Sequence, residues 1–143
     1  MAKFDRNTYT NVNKTKEYYS DVLVDFAPHP QKHDLARSIN DLAVKSSIRN
    51  LLLTNKYERL FNPKVGSKIR SILFEPIDAF TEADLKTAIT ETIENYEPRA
   101  KLINVTVKPY VDENAYVINL LFYIINSPST EPVSFQTTLY RVR

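Results

Sequence analysis

The stretch "IENYEPRAKLINVTV", residues 93–107, decides the fold because the apolar pattern changes its period within it. Helical spacing runs into Glu97-Pro98-Arg99, and an alternating pattern begins immediately afterwards. Pro98 predicts the end of the helix, since the residue before a proline is pushed out of the α region. Two explanations of the charged junction stay open: an ordinary helix stop, or a preformed contact for a partner protein.

On the C-terminal side of this junction, a period of two predicts three β-strands. The first directs Ile103, Val105 and Val107 to one face. The second, residues 115–125, is apolar on both faces almost throughout, and the third spans residues 133–143. Short turn sequences between these segments predict an antiparallel meander with the doubly apolar strand in the middle.

On the N-terminal side, apolar residues at helical spacing predict helices over 34–54, 67–75 and 82–96. The apolar stripe of the first helix begins with Leu35 and Ile39. That of the last helix is expected to face inward at Leu85, Ala88, Ile89, Ile93 and Tyr96. Asp34 and Thr81 are the expected N-caps of the first and last of these helices. Two main helices and a short one, placed before three strands, predict an α+β fold. The helices then cover one face of a small antiparallel sheet.

The remaining segments are less regular. Residues 1–16 are polar and without period, so we expect a flexible N-terminal arm. Residues 17–26 suit a short strand. In the loop after the first helix, Leu60 and Phe61 are expected to pin the loop to the core, and Gly66 is expected to adopt a positive φ or to admit a close backbone neighbour.

Composition excludes several classes of function. The 143 residues suit one domain, predicted over 17–143. With 19 basic and 17 acidic residues, the chain has no electrostatic footprint for nucleic acid or an anionic membrane. Because the chain has no cysteine, thiolate metal sites are excluded, and because it has a single glycine, phosphate-binding glycine loops are excluded as well. His29 and His33 lack a helix and a third ligand, so neither a metal nor a cofactor is expected.

The second face of the middle strand carries large apolar side chains, including Val117, Leu121, Tyr123 and Ile125. Such a face is either a contact surface for another protein or is covered by the N-terminal strand or the loop 56–66. Both interpretations stay open on the pattern alone.

Two local motifs occur together in this chain: "FNPKVGSKIRSILFE", residues 61–75, and "NYEPR", residues 95–99. In this order and spacing they resemble the small baseplate wedge proteins of contractile phage tails, the gene-twenty-five-like or lysozyme-like family. The resemblance extends to the sheath-initiating component of type VI secretion baseplates. It covers roughly residues 17–142 and excludes the polar arm.

The resemblance implies a structural virion protein at the top of the tail baseplate, beside the tail tube. It implies a fold like the conserved C-terminal part of the tail sheath protein. Members bind the helical core bundle of larger wedge subunits and act as the template for the first sheath ring. The family's hallmark at the wedge contact is Glu-Pro-Arg, which here is Glu97, Pro98 and Arg99.

Extended backbone around Pro98 places Glu97 and Arg99 on the same side, as an outward acceptor and a forked donor. The alternative is that Arg99 caps the helix carbonyls or pairs with Glu97 in solvent, which contributes about 0–1 kcal/mol. Charge reversal at Arg99 is expected to abolish the complex with a helical wedge subunit and to preserve the fold.

A sheet edge has unpaired N–H and C=O groups to which a partner's strand can add. The third predicted strand, with Phe135, Thr137, Leu139 and Arg141, is the expected site for an arm of the sheath protein, and the first strand is the other candidate edge. Deletion of 133–143 is expected to stop sheath polymerisation and to leave wedge binding intact.

A peptidoglycan hydrolase is the alternative from another class. A glycosidase needs two carboxylates about 5–10 Å apart, one with a raised pKa. Glu75 and Glu82 are better explained as a helix end and a first-turn acid, and Arg99 would lower the pKa of Glu97. A third interpretation is a small adaptor that adds strands to a partner's sheet. We expect no catalytic role.

Overall fold

The computed structural model describes residues 16–29 and 34–141. Within this part of the chain there are three α-helices and five β-strands, which confirms the α+β class. The elements are β1 Ser20–Val22, β2 Arg37–Ile39, α1 Asp41–Leu53, α2 Ile69–Ile72, α3 Ala79–Tyr96, β3 Ala100–Tyr110, β4 Ala115–Ile124 and β5 Val133–Tyr140. The predicted arm lies outside the described residues except for Lys16, as do His33 and the last two residues of the predicted third strand. No helix in the described ranges is long and apolar enough to cross a membrane.

The sheet is the predicted meander, an antiparallel arrangement in the order β3-β4-β5. Alternate residues of β4 are buried beneath the helices: Tyr116, Ile118, Leu120, Phe122 and Ile124. On the second face, Val117 and Leu121 are half-buried, whereas Tyr123 and Ile125 are 40% and 42% exposed. The described residues therefore cover this face only in part.

The prediction of one helix over 34–54 is wrong in its first part. Residues 37–39 form β2, which pairs antiparallel with β1, and α1 begins only at Asp41. Asn40 separates the two elements with a φ of 52°, and its side-chain oxygen accepts hydrogen bonds from Tyr18 N and Tyr19 N at 2.8 and 3.3 Å. Asp34 is therefore not a helix cap.

The last helix, α3, begins three residues earlier than predicted, at Ala79. Its N-cap is Asp78, whose carboxylate accepts a hydrogen bond from Thr81 N at 2.7 Å. Thr81 is buried, and its hydroxyl donates to Pro76 O at 2.8 Å. The predicted inner stripe is confirmed at Leu85, Ala88, Ile89 and Ile93, which are all buried, and the helix ends at Tyr96, before the proline.

The alternation predicted for the first strand of the meander is interrupted by an irregularity in β3. The register with β4 shifts between Leu102 and Asn104, so Ile103 is an extra residue in the strand. Leu102 packs against the core and Val105 is buried, while Ile103 is 45% exposed. The expectation that Ile103 shares the inner face with Val105 is therefore wrong.

The loop between α1 and α2 is held by hydrogen bonds to its backbone, including one from the hydroxyl of Tyr96 to Lys64 O at 2.6 Å. Leu60 and Phe61 are 92% and 102% exposed, which overturns the expectation that they pin the loop to the core. Ser67 N donates to Thr54 O at 2.8 Å. Gly66 has a φ of +139°, and a Cβ there would lie 2.6 Å from the carbonyl of Asn55. Both predictions for this glycine are confirmed.

Candidate functional site

In the bend between α3 and β3, the carboxylate of Glu97 points into the protein. Glu97 is the C-cap of α3, with φ −124° and ψ 77°, and is 3% exposed. Its two oxygens accept hydrogen bonds from Arg99 Nε at 2.8 Å and Arg99 Nη2 at 3.1 Å. The hydroxyl of Ser47, on α1, donates to the same carboxylate. The bend is therefore fastened to α1 through a buried, fully paired acid.

Arg99 also bonds a second carboxylate. Its Nη1 donates to the two carboxylate oxygens of Asp21, on β1, at 3.0 and 3.2 Å. The guanidinium carbon lies 5.5 Å from the centroid of the Tyr19 ring, within the range of a cation–π contact. The Arg99 side chain keeps 24% of its surface exposed. One guanidinium thus joins β1 to the bend.

The expectation of an outward-facing couple at Glu97 and Arg99 is therefore wrong as geometry. Of the two alternatives, the pairing of Arg99 with Glu97 is present, but it lies at a buried carboxylate and not in solvent. The side-chain hydrogen bonds of Arg99 go to Glu97 and Asp21 and not to the helix carbonyls. Pro98, between them, is exposed. The role of these three residues in binding a wedge subunit stays a prediction.

The electrostatics of the bend keep both groups charged. Burial acts to raise the pKa of Glu97, but the hydrogen bonds from Arg99 and Ser47 outweigh it and hold the pKa below its ordinary value of 4.5. The hydrogen bond with Glu97 is the main cause that raises the pKa of Arg99. A carboxylate held deprotonated in this way is poorly suited to act as a general acid.

A cleft of about 220 Å³ lies beside the bend, between β1, α1 and the α1–α2 loop. Its walls include Asp21, Ser47, Asn50 and Arg59. Sequence reasoning missed Asp21 and Ser47, which lie 78 and 50 positions from the residues that they contact. No local signal in the sequence marks contacts of that range.

Among the strands that the structure describes, β5 pairs with β4 alone, so its other edge is open, and the register with β4 defines that edge. Arg141 N donates to Asn114 O at 3.0 Å, in line with the pairing of Ala115 with Tyr140. In an antiparallel strand both backbone groups of a residue point to one side, and the sides alternate along the chain. The backbone groups that bond β4 therefore belong to Val133, Phe135, Thr137 and Leu139. Those at the open edge belong to Ser134, Gln136, Thr138 and Tyr140.

The four residues predicted for sheath contact face inward. Leu139 is buried, and Phe135 packs against the core. Arg141 Nη1 donates to the Asn114 side chain at 2.9 Å. Phe135, Thr137, Leu139 and Arg141 thus hold β5 in the sheet, and the groups that a neighbouring strand would bond belong to the alternate residues.

The two outer edges of the sheet differ. The edge of β3 carries the irregularity at Ile103 and also Pro109, which pairs with Tyr116 and faces away from β4. It carries Lys101 and Lys108 as well. Bulges, prolines and lysines are the features by which proteins block edge-to-edge pairing. From Val133 to Tyr140, β5 has no proline, no charged residue and no register shift.

Metal and acid–base chemistry find little support in the described ranges. No group of three or more His, Asp or Glu side chains there could hold a metal ion. Glu75 is exposed in the turn after α2, and Glu82 lies in the first turn of α3. These positions agree with the helix-end and first-turn roles expected for them.

Comparison with solved structures gives the class of fold first. A crystal structure of a putative tail lysozyme from Geobacter sulfurreducens has a TM-score of 0.64 and 24% identity, covering 70% of this chain and 89% of that one. A component of the anti-feeding prophage baseplate gives 0.59 and 21%, with coverage of 86% and 85%. A component of the type VI secretion baseplate complex gives 0.54 and 19%, with coverage of 68% and 92%. The chain thus has a fold found in contractile-tail baseplates.

Sequence comparison then gives the family. The family described as baseplate wedge protein gp25 matches residues 38–127. Baseplate wedge protein gp25 of Enterobacteria phage T4 is 30% identical over 118 residues, which cover 82% of this chain and 86% of that protein. The chain therefore belongs to the baseplate wedge protein gp25 family, which confirms the resemblance carried by the two motifs. It is a structural component of the tail baseplate in a virion or phage-like particle, and part of a complex of many subunits.

Proposed function

We propose that this chain is a non-catalytic scaffold with two docking surfaces. The Glu97–Arg99 bend binds the helical core bundle of the larger wedge subunits. The open edge of β5 accepts an extended segment of the sheath protein and so templates the first sheath ring. The observation that carries the proposal is the unprotected β5 edge, on a sheet whose other edge is blocked.

Strand addition needs a row of free backbone groups with the right spacing. Ser134, Gln136, Thr138 and Tyr140 offer one N–H and one C=O each to a neighbour. Each hydrogen bond contributes only about 0.5–1.5 kcal/mol net. A whole strand therefore binds through many weak bonds. A substitution that removes one donor and also places an obstructing ring at the edge should weaken binding strongly.

Thr137 and Thr138 provide a matched pair for the test. Thr138→Pro removes an outward donor and places a proline ring at the open edge, while Thr137→Pro removes a donor that bonds β4. We expect Thr138→Pro to stop sheath assembly on baseplates that still contain the protein, and to lower stability far less than Thr137→Pro. The measurements are electron microscopy of assembled tails and thermal unfolding.

Sheaths of normal length on baseplates built with the Thr138→Pro protein would contradict the strand-addition proposal. Deletion of 133–143 is a weaker test than the sequence suggested. It would also remove Leu139 from the core and uncover the paired edge of β4.

Wedge binding at the bend is supported by rigidity and by accessible surface. Pro98 is exposed, Arg99 keeps part of its side chain accessible, and the cleft lined by Asp21 and Asn50 lies alongside. A surface already fixed in place loses little entropy on binding. The proposal places a helix end of the wedge bundle across Pro98 and the cleft.

Asn50→Arg tests that placement, because Asn50 is exposed and lines the cleft. The larger charged side chain should fill the cleft and abolish co-purification with the purified wedge subunits, with an unchanged unfolding midpoint. Lys86→Glu, on the exposed face of α3, is the control. Full binding by the Asn50→Arg protein would exclude the cleft from the interface.

The absence of a catalytic role is part of the proposal. Glu97 is held deprotonated by Arg99, so it lacks the raised pKa that a glycosidase acid requires. The purified protein is expected to leave the turbidity of a peptidoglycan suspension unchanged. Clearing by the wild type, lost in a Glu75→Gln or Glu82→Gln variant, would instead support hydrolysis.

A further inference from the structure

The open edge of β5 is flanked by two cavities on the helix side of the sheet. The first, of about 270 Å³, lies near the C-terminal end of the strand and is mainly apolar. Its walls include Leu53, Ile69 and Leu73 from the helical layer and Leu139 from β5, and the exposed side chain of Arg70 lies at its margin. Leu53 is 55% exposed, so part of this apolar surface is left without a neighbour by the described residues.

The second cavity is an open cleft of about 440 Å³ further toward the start of β5. It is lined by Arg49, from α1, and by residues 135–138. Arg49 is exposed, and it is the charged residue among those that line this cleft. The edge therefore presents an apolar cavity and a cationic cleft in sequence along one strand.

An added strand would place its side chains in register with both cavities. Neighbouring strands lie about 4.8 Å apart, and alternate side chains point to the same face. On the helix side, residues of the added strand lie across from Phe135, Thr137 and Leu139. A side chain across from Leu139 enters the apolar cavity, and one across from Thr137 or Phe135 meets Arg49.

We propose that the β5 edge selects an extended segment that carries a large aliphatic side chain and a carboxylate at alternate positions of one face. The aliphatic group fills the cavity beside Leu53 and Leu73, and the carboxylate pairs with Arg49. This selectivity rests on the proposed strand addition and names the partner's chemistry. The backbone supplies the binding, and the two cavities set the register and the choice of segment.

The test joins candidate segments to the C-terminus of the full chain through a flexible Gly/Ser linker, long enough for either strand direction. One segment carries Leu and Glu at alternate positions of a Thr-rich strand. In a second, Ser replaces Leu, and in a third, Lys replaces Glu. Hydrogen exchange at the amides of Gln136 and Thr138 reports strand addition, and thermal unfolding reports its strength.

The Leu/Glu segment is expected to protect both amides and to raise the unfolding midpoint by roughly 3 °C or more. The Ser and Lys segments should give smaller shifts. In the Arg49→Glu protein this order should be reversed, so that the Lys segment raises the unfolding midpoint more than the Glu segment does. Lys86→Glu, a charge reversal on the exposed face of α3, should leave the ranking unchanged.

Failures at the two levels are distinguishable. If all segments protect Gln136 and Thr138 equally and Arg49→Glu has no effect, the selectivity is overturned while strand addition at β5 stands. If no segment protects either amide, strand addition at this edge is overturned, and the selectivity with it.

Discussion

The Glu97–Arg99 bend and the β5 edge were both predicted as partner contacts, and they differ in how their polar groups are used. In the bend, the charged couple is paired inside the chain with Ser47 and Asp21. At the β5 edge, alternate backbone groups have no neighbouring strand within the described residues. The charged motif is the more conspicuous of the two in the sequence. The polar groups without a partner in the described residues nevertheless belong to the uncharged stretch from Val133 to Tyr140.

This difference separates two kinds of mutational effect. Changes in the bend should act first on stability, because they leave buried charges without partners. Changes at the edge should act on assembly and leave the isolated fold almost unaffected, because the outward groups have no neighbouring strand among residues 16–29 and 34–141. The following variants test this separation, in order of decreasing expected effect on stability.

Arg99→Met should have the largest effect. It leaves the buried Glu97 carboxylate with Ser47 alone and removes the link to Asp21. We expect the free energy of unfolding to fall by about 3 kcal/mol, measured by urea denaturation. Charge reversal at Arg99 should be worse, contrary to the expectation from the sequence that the fold would be preserved. A fully stable Arg99→Met protein would show that the bend is not held by this pair.

Ser47→Ala should have an intermediate effect. The hydroxyl of Ser47 donates to a buried carboxylate, and hydrogen bonds to charged groups contribute about 1.5–3 kcal/mol. Glu97 keeps Arg99, so the loss should lie near the lower end of that range. Ser46→Ala, at the adjacent position on α1, is the control and should change stability little. Equal losses for the two variants would remove Ser47 from the network.

Acidification should reveal the same network through Glu97. The pKa of Glu97 is lowered by folding, so its stabilising contribution is present above pH 4.5, the ordinary value, and is lost as the pH falls through the folded pKa. Glu97→Gln should be less stable than wild type at neutral pH, and the gap in unfolding midpoint should close on acidification. A gap that is constant with pH would contradict this assignment.

Gln136→Lys should have the smallest effect on stability, within about 0.5 kcal/mol, because Gln136 is exposed at the open edge. The added lysine gives β5 the protection that β3 already has, so sheath assembly should fail. Asn104→Lys, exposed on β3, is the matched control and should assemble normally. Sheath growth on the Gln136→Lys protein would place the acceptor edge elsewhere.

Much of the fold follows from short-range patterns. The change of period at residues 93–107 predicted the end of α3 and the start of the meander, and Gly66 predicted a left-handed backbone. Leu35 and Ile39 misled the assignment of α1, because their spacing also suits an extended segment that pairs with β1. Only the pairing partner distinguishes the two, and that partner is distant in sequence.

The bend and the strand that carry the candidate site residues were predicted, but the orientation of those residues was not. The Glu-Pro-Arg motif correctly marked the bend, but Ser47 and Asp21, which turn its charges inward, come from other elements. For β5, the strand was predicted, while the direction of each backbone group depends on the register with β4. Register is set by the whole meander. The sequence of β5 alone therefore does not show which of its alternate residues bond β4 and which face the open edge.

The irregularity at Ile103 and the proline at 109 have a consequence for the way copies of this chain can associate. An endless ribbon of sheets needs an edge open to strand pairing on both sides of every copy, and the part of the chain that the structure describes has one such edge in this sheet. Two copies that meet through β5 would close on each other and stop. The molecule thus has the geometry of a terminal subunit, because strands can be added to its sheet on one side only.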